Sequence, residues 1–190
     1  MIALYRNLFP AMWLAWALYW WISSRNVKAE VRREPAASRA AHVIPLAIAA
    51  LLLWWPRMNV PVLDLRYVPP GPGPFWIGAA VTAAGLLFCV WARLHIGRNW
   101  SGIVTLKEDH ELVTSGPYAL VRHPIYTGLL AALAGSAFAR GDVRGVLAFV
   151  IAFVALWRKM GVEERFMEER FGDAYRAYRA RVKRLVPFVW

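Results

Sequence analysis

Five runs of apolar residues dominate this chain of 190 residues and limit the folds that are open to it. The runs cover residues 8–22, 43–55, 75–94, 124–138 and 146–157. Hydrophobic residues make up 59% of the chain and include 11 tryptophans, more than a soluble core of this size could bury. A membrane-spanning helix needs about 20 apolar residues, so the shorter runs should extend into their flanks. The pattern predicts an all-α integral membrane protein with five transmembrane helices.

The basic residues indicate how such a chain is oriented in a bilayer. Of its 23 Lys and Arg residues, five fall within residues 25–39, four within 93–122 and nine within 158–184. Basic segments between membrane helices stay on the cytoplasmic side. We therefore expect these three stretches in the cytoplasm and, in a bacterial host, an inner-membrane location with a periplasmic amino terminus. The net charge of +11 then reflects membrane orientation and not nucleic-acid binding.

Proline, glycine and polar residues mark the expected boundaries. Residues 69–74, Pro-Pro-Gly-Pro-Gly-Pro, predict a rigid extended connection without helix. Pro124 suits the first turn of a helix, so the fourth membrane helix should begin there. Residues 25–42 are interpreted as a polar loop, and residues 103–106 as a short extended segment. Residues 171–173, Phe-Gly-Asp, predict a helix end followed by a new helix capped by Asp173.

A polar constellation is expected where the last two apolar runs meet the cytoplasmic side. Only a tight turn at residues 140–142 joins these runs, so their helices should pack as an antiparallel hairpin. The hairpin brings the residues before Ile125 and those after Trp157 to one membrane face. Ionisable groups at a membrane boundary are costly to bury and tend to be paired and functional. The groups expected to meet there are Arg122, His123, Tyr126, Lys159, Glu163 and Glu164.

Several kinds of chemistry find no support in the sequence. No Ser-His-Asp or Cys-His arrangement stands out, which points away from hydrolysis. His110 and Glu111 are not followed by further ligands at metal spacing, so no metal site is predicted. Cys89 lies within an apolar run and is interpreted as a packing residue. The glycine-rich turn of a soluble α/β methyltransferase is also missing from the sequence.

Five short motifs carry a family resemblance, and they cover roughly residues 75–187. The chain resembles the isoprenylcysteine carboxyl methyltransferase family and, more loosely, membrane phospholipid methyltransferases. The Arg-His-Pro-x-Tyr motif combined with the distant Glu pair is the specific part of the pattern. The motifs are Asn99-Trp-Ser-Gly102, Leu112-Val-Thr-Ser-Gly-Pro-Tyr118, Val121-Arg-His-Pro-Ile-Tyr126, Glu163-Glu164 and Phe171-Gly-Asp-Ala-Tyr175.

The resemblance implies methyl transfer from S-adenosylmethionine and assigns residues to that task. An arginine that faces the acceptor in the family corresponds to Lys159, which keeps the charge but lacks the planar two-pronged grip. Either Arg158 therefore takes that role beside Lys159, or the acceptor is not a prenylcysteine carboxylate. We expect Glu164 to bind the cofactor's ammonium group and Glu163 to support the site from behind. The resemblance places the cofactor at His110, Glu111, Leu112, Val113, Tyr118, His123, Pro124, Ile125, Tyr126 and Glu164.

The function expected from this resemblance is methylation of a lipophilic or isoprenoid acceptor, with a carboxylate as the first candidate. The acceptor would be a small lipophilic molecule or a prenylated partner that enters from the surrounding membrane lipids. One domain should cover residues 1–190, with two membrane helices in 1–74 and the motif-bearing catalytic region in 75–190. Two alternatives remain open: a phospholipid N-methyltransferase, which would need a base near the methyl group, and a non-enzymatic membrane module that binds lipid.

Overall fold

The computed structural model describes residues 2–25, 27, 30–55, 60–100, 105–107 and 111–189. His110, one of the expected cofactor residues, lies outside the described residues. Helices form almost all of the regular structure in the described ranges, together with a short 3₁₀ turn at Gly97–Asn99. The helices are α1 Ile2–Ser23, α2 Ala36–Trp54, α3 Pro72–Ile96, α4 Pro117–Leu120, α5 Pro124–Arg140, α6 Val143–Phe171 and α7 Asp173–Arg181.

Three of these helices are long and apolar enough to cross a membrane: α2, α3 with its 3₁₀ extension, and α6. Large apolar side chains on their outer faces are exposed in the isolated chain, among them Ile44, Leu87 and Val154. An apolar surface of this extent is unfavourable in water, and lipid would cover it. The prediction of an apolar, helical membrane protein is confirmed; among the described residues three helices meet this criterion, and the count of five stays a prediction.

Glycines allow α3 and α5 to pack at very short range. A Cβ placed on Gly85 would lie 2.5 Å from the Gly128 carbonyl oxygen, and one placed on Gly128 would lie 2.5 Å from the Gly85 oxygen. Gly78 and Gly135 repeat the arrangement about two helical turns away, with 2.5 and 2.6 Å to the opposite carbonyl oxygens. Close backbone approach through small residues is a common way for helices to associate in membranes. This contact fixes the position of α5 and therefore of His123 at its start.

The segment interpreted as a polar loop is more ordered than expected. It contains strand β1 (Glu30–Arg33), which pairs antiparallel with strand β2 (Thr105–Lys107), and α2 already begins at Ala36. The extended segment expected at 103–106 overlaps β2, although residues 103 and 104 lie outside the described residues. The expectation of a loop through residue 42 was wrong because residues 30–33 pair with the distant strand β2 and residues 36–42 are already helical.

Two boundary predictions need correction. Helix α3 begins at Pro72, inside the segment expected to be extended, because prolines are tolerated in a first helical turn where backbone N–H groups have no partner. At the other end of the chain Gly172, with φ of 51°, separates α6 from α7, and Asp173 is the first helical residue and not the cap. Pro124 does begin α5, as predicted.

The turn between α5 and α6 forms the predicted hairpin. Gly141 adopts a left-handed conformation, and the Asp142 carboxylate caps α6 by accepting a hydrogen bond from the Gly145 backbone N–H at 2.9 Å. Helix α6 does not end at residue 157 but continues to Phe171. Its 29 residues correspond to about 44 Å, longer than the bilayer core of about 30 Å. Helix α6 therefore continues past its apolar run and holds Lys159, Glu163 and Glu164 on a rigid support.

Candidate active site

The carboxyl-terminal tail is fixed against the segment that leads into α5. Val121 and Lys183 form a parallel backbone bridge. The Arg122 and His123 backbone N–H groups donate to the Lys183 and Arg184 carbonyl oxygens at 2.8 and 3.1 Å. Backbone pairing of this kind brings side chains from positions 122, 123 and 184 together above the end of the α5–α6 hairpin.

Glu164 lies at the centre of this arrangement and is 3% exposed. Arg122 donates to its Oε1 through Nε at 3.0 Å and Nη2 at 2.8 Å. Arg184 donates through Nε to Oε1 at 3.1 Å and through Nη2 to Oε2 at 2.5 Å. The His123 Nε2 atom lies 3.1 Å from Oε1. Two guanidinium groups and one imidazole therefore satisfy this buried carboxylate, as a buried charge requires.

Glu163, the preceding residue, has different partners. It accepts a hydrogen bond from the Tyr126 hydroxyl, and its Oε2 lies 3.5 Å from His123 Nδ1. The Lys159 ammonium lies 3.9 Å from Glu163 Oε1 and 5.4 Å from the centre of the Tyr126 ring. His123 thus bridges both glutamates. Burial alone would lower the pKa of the His123 imidazole, but its contacts with Glu163 and Glu164 outweigh burial and raise that pKa.

A cavity of about 280 Å³ opens beside Glu163. Most of the expected site residues line it: Glu111, Leu112, Val113, Tyr118, His123, Pro124, Ile125, Tyr126, Lys159 and Glu163. Arg122 and His123 line the cavity, and Glu164 lies behind them without lining it. Arg158 is also outside the cavity and donates to the Ser38 carbonyl oxygen at 3.0 Å and to its hydroxyl at 3.3 Å. Of the two cations proposed for the acceptor, only Lys159 reaches the cavity wall.

Aromatic side chains that were not among the predicted site residues complete the wall. Trp16 and Trp20 come from α1, Trp100 follows the 3₁₀ turn, and Tyr175 and Tyr178 come from α7. The two tyrosines recur at helical spacing in the sequence, but the α1 tryptophans cannot be told from ordinary membrane-facing residues there. Arg184 was missed as a partner of Glu164 because it lies among many basic residues of the tail.

The cavity combines apolar walls with charge of both signs. The Tyr178 hydroxyl donates to the Tyr118 carbonyl oxygen at 2.6 Å, which ties α7 to α4 over the cavity. Burial raises the pKa of Tyr118, Tyr175 and Tyr178, so all three phenols stay neutral. Aromatic faces and the carboxylates of Glu111 and Glu163 attract cations. The lining therefore suits an extended organic molecule with a cationic centre and flat rings.

Comparison with known proteins identifies a family and several relatives of this chain. Residues 74–174 match the phospholipid methyltransferase family. The chain is 35% identical over 104 residues to a protein-S-isoprenylcysteine O-methyltransferase of Schizosaccharomyces pombe, covering 52% of this chain and 43% of that relative. It is 28% identical over 137 residues to protein-S-isoprenylcysteine O-methyltransferase B of Arabidopsis thaliana, covering 67% and 68%.

A third relative covers more of the chain. Methanethiol S-methyltransferase 1 of Bradyrhizobium diazoefficiens is 35% identical over 165 residues, covering 79% of this chain and 54% of that protein. The chain thus spans between 43% and 68% of the length of these three relatives. Together the matches confirm the family resemblance that the sequence motifs indicated.

Proposed function

This chain belongs to the phospholipid methyltransferase family, and from that premise we propose that it transfers the methyl group of S-adenosylmethionine to a lipophilic acceptor. The single observation that carries the proposal is the cavity at the end of the α5–α6 hairpin, where Glu163 and aromatic rings enclose a space beside Lys159. Relatives named as methyltransferases of isoprenylcysteine and of methanethiol support the reaction type.

The residues that line the cavity fit this cofactor. Trp16, Trp20 and Tyr118 offer flat surfaces for an adenine ring and attract a sulfonium centre. Glu163 and Glu111 are the cavity carboxylates that would attract the cofactor's ammonium group. When bound, S-adenosylmethionine supplies an electrophilic methyl group, and the surrounding apolar walls exclude water from it.

The two glutamates would have different tasks in this mechanism. Glu163 lines the cavity, so we assign to it the cofactor contact that the sequence motifs suggested for Glu164. Glu164 holds Arg122, His123 and Arg184 in place and acts on the cavity through His123. Methyl transfer disperses charge in its transition state, so positioning and dehydration would supply most of the catalysis.

Lys159 is the residue that we assign to the acceptor. Its ammonium is at the cavity wall, next to the Tyr126 ring and 3.9 Å from Glu163. A cation there would hold an anionic acceptor, such as a carboxylate, which needs no base because it is already deprotonated. Arg158 is directed to Ser38 on α2 and would stabilise the helix contact. A lipophilic or prenylated acceptor would enter laterally, between helices, from the membrane.

A thiol acceptor is the second candidate, and one observation favours it. The methanethiol S-methyltransferase relative aligns with 79% of this chain, including more residues than either isoprenylcysteine relative. A thiol must lose its proton before or during attack, so the rate with that acceptor should rise with pH toward the thiol pKa. A carboxylate acceptor would show no such increase in the same pH range.

For the membrane arrangement we propose that α1 and α5 join α2, α3 and α6 as five membrane helices. The apolar side chains Leu14, Leu18 and Trp21 of α1 are exposed in the isolated chain, as are apolar side chains of the three long helices. The basic residues near the site support a cytoplasmic location for it and, in a bacterium, insertion in the inner membrane. One domain would then comprise the two amino-terminal helices and the motif-bearing region from residue 75.

Calorimetric titration of the purified protein with S-adenosylmethionine tests the proposal. We expect saturable binding that S-adenosylhomocysteine competes away. If neither saturable binding nor competition by S-adenosylhomocysteine is seen, the result would support the alternative of a non-enzymatic lipid-binding module. If binding is present, mass spectrometry of membrane lipids and prenylated species incubated with the protein and labelled cofactor would identify the acceptor, and a labelled phospholipid amine would favour the N-methyltransferase alternative.

A further inference from the structure

A second pocket lies on the other side of the Arg122–Glu164–Arg184 cluster. It has a volume of about 350 Å³ and is lined by Arg122, Trp157, Arg179, Lys183, Arg184 and Val189. None of the last four residues lines the cavity beside Glu163. The two spaces therefore share Arg122 and are otherwise separate.

The lining of this pocket is strongly cationic. Four of its six residues carry a positive charge. Among the described residues, two carboxylates pair with them: Glu164 with Arg122 and Arg184, and Glu168 with Arg179 at 3.4 Å. The described contacts thus leave an excess of two positive charges around the pocket. Guanidinium groups in such a cluster bind phosphate oxygens through paired hydrogen bonds.

The surroundings of the pocket favour a lipid as the source of that phosphate. Trp157 is the last residue of the apolar run of α6, directly before Arg158 and Lys159, and the Arg184 guanidinium stacks over its ring at 4.5 Å. In the adjoining tail Phe188 is 92% exposed and Val189 is 66% exposed. Exposed apolar residues beside a basic pocket at a membrane boundary are typical of a surface that enters the interfacial layer of a bilayer.

The pocket is also coupled to the candidate active site by shared side chains. Arg122 donates through Nη1 to the Val182 and Arg179 carbonyl oxygens at 2.5 and 3.3 Å, and through its other nitrogens to Glu164. An anion in the pocket would approach the same guanidinium groups that hold Glu164. Its binding would reduce the mutual repulsion of the four cations and stabilise the docked tail.

We propose that this pocket binds the phosphate headgroup of an anionic phospholipid and thereby secures the tail over the active-site cavity. Arg179 and Lys183 form the outer wall and recognise the charge, whereas Arg122 and Arg184 form the inner wall. The acyl chains of the lipid lie along Trp157 and the apolar residues at the end of the tail. The site is distinct from the place proposed for the methyl acceptor.

Native mass spectrometry of the protein in mixed micelles of phosphatidylglycerol and phosphatidylcholine tests the proposal without any methyl transfer. We expect one phosphatidylglycerol molecule to be retained in preference to phosphatidylcholine. Each Lys or Arg near a membrane surface strengthens anionic lipid binding by about five-fold. The double variant R179Q/K183Q removes two such charges and should therefore weaken this retention by about thirty-fold. Its thermal unfolding without anionic lipid should match that of the wild type.

The double variant R170Q/R181Q is the matched control, because it removes two exposed charges nearby that do not line the pocket. It should retain phosphatidylglycerol like the wild type. Equal losses in both double variants would overturn the proposal, since they would indicate a diffuse surface attraction. Equal retention of the two lipids by the wild type, or displacement of phosphatidylglycerol by inorganic phosphate at a few times the lipid concentration, would also overturn it. Because the readout is lipid retention, failure of the methyltransferase proposal would leave this result unaffected.

Discussion

Glu163 and Glu164 are neighbours in sequence, but their carboxylates face different sides of α6 and contact different groups. Consecutive residues of a helix point about 100° apart, so Glu163 faces the cavity and Tyr126 while Glu164 faces Arg122 and Arg184. His123 lies between the two carboxylates, with Nδ1 3.5 Å from Glu163 and Nε2 3.1 Å from Glu164. This single imidazole connects the carboxylate that faces the cavity to the one that fixes the tail.

Glu164→Gln should destabilise the protein more than any other substitution of a carboxylate on α6. It leaves two partly buried guanidinium groups without their anion, and removing one partner of a buried ion pair costs on the order of 3 kcal/mol. Thermal unfolding in lipid nanodiscs measures the effect. Glu168→Gln is the control, because its partners Arg176 and Arg179 are half exposed at 3.4 Å and should contribute little. Similar melting temperatures for the two variants would contradict the central role of Glu164.

Lys159→Ala should affect the acceptor more than the cofactor. Lys159 is the cavity cation assigned to an anionic acceptor, so its loss should raise the acceptor KM by about ten-fold or more, as expected for a charge-assisted contact. The cofactor Kd should change little. Steady-state kinetics and calorimetry separate the two constants. Arg158→Ala, whose described hydrogen bonds go to Ser38 on α2, should leave both near their wild-type values. Equal changes in the two constants for Lys159→Ala would refute the assignment.

Gly85→Ala should destabilise the α3–α5 contact. The added methyl group would lie 2.5 Å from the Gly128 carbonyl oxygen, a distance at which the helices must separate. Overpacking of this kind costs about 1–3 kcal/mol. Gly161→Ala on α6 is a suitable control, because its new methyl group would meet no atom of the neighbouring described helices within 4 Å and alanine favours a helix. Thermal unfolding should show a lower midpoint for Gly85→Ala and an equal or higher one for Gly161→Ala.

His123 should make the stability of the protein depend on pH. Its pKa is raised in the folded state above the ordinary value of 6.5, so the protonated form stabilises the fold. That contribution is fully present below pH 6.5 and is lost as the pH rises through the folded-state pKa. Above pH 6.5 the melting temperature of His123→Gln should therefore fall less steeply than that of the wild type. An unchanged pH dependence of the melting temperature in His123→Gln would contradict this role of His123.

The sequence predicted the parts of this molecule that depend on local chemistry. Pro124 begins α5 and Gly172 ends α6 because proline suits a first helical turn and glycine tolerates a positive φ. The contact between the residues before α5 and those after Trp157 followed from the short hairpin turn. The family motifs indicated most of the cavity wall.

Features that depend on distant packing were harder to predict. The pairing of β1 with β2 joins segments about 75 residues apart, and although residues 103–106 were expected to be extended, their partner strand at Glu30–Arg33 was not expected. Trp16 and Trp20 line the cavity, yet their apolar setting in α1 resembles that of any membrane helix. The roles of Glu163 and Glu164 depend on the rotation of α6 about its axis, which motif spacing does not determine.

The most direct measurement of the central claim is the S-adenosylmethionine Kd of Glu163→Gln beside that of Glu168→Gln, by calorimetry in the same detergent. Both variants remove one carboxylate from α6, but only Glu163 lines the cavity. Loss of a charge-assisted contact should weaken binding by about ten-fold in Glu163→Gln and leave Glu168→Gln at the wild-type value. Wild-type affinity in a well-folded Glu163→Gln would contradict the placement of the cofactor in this cavity.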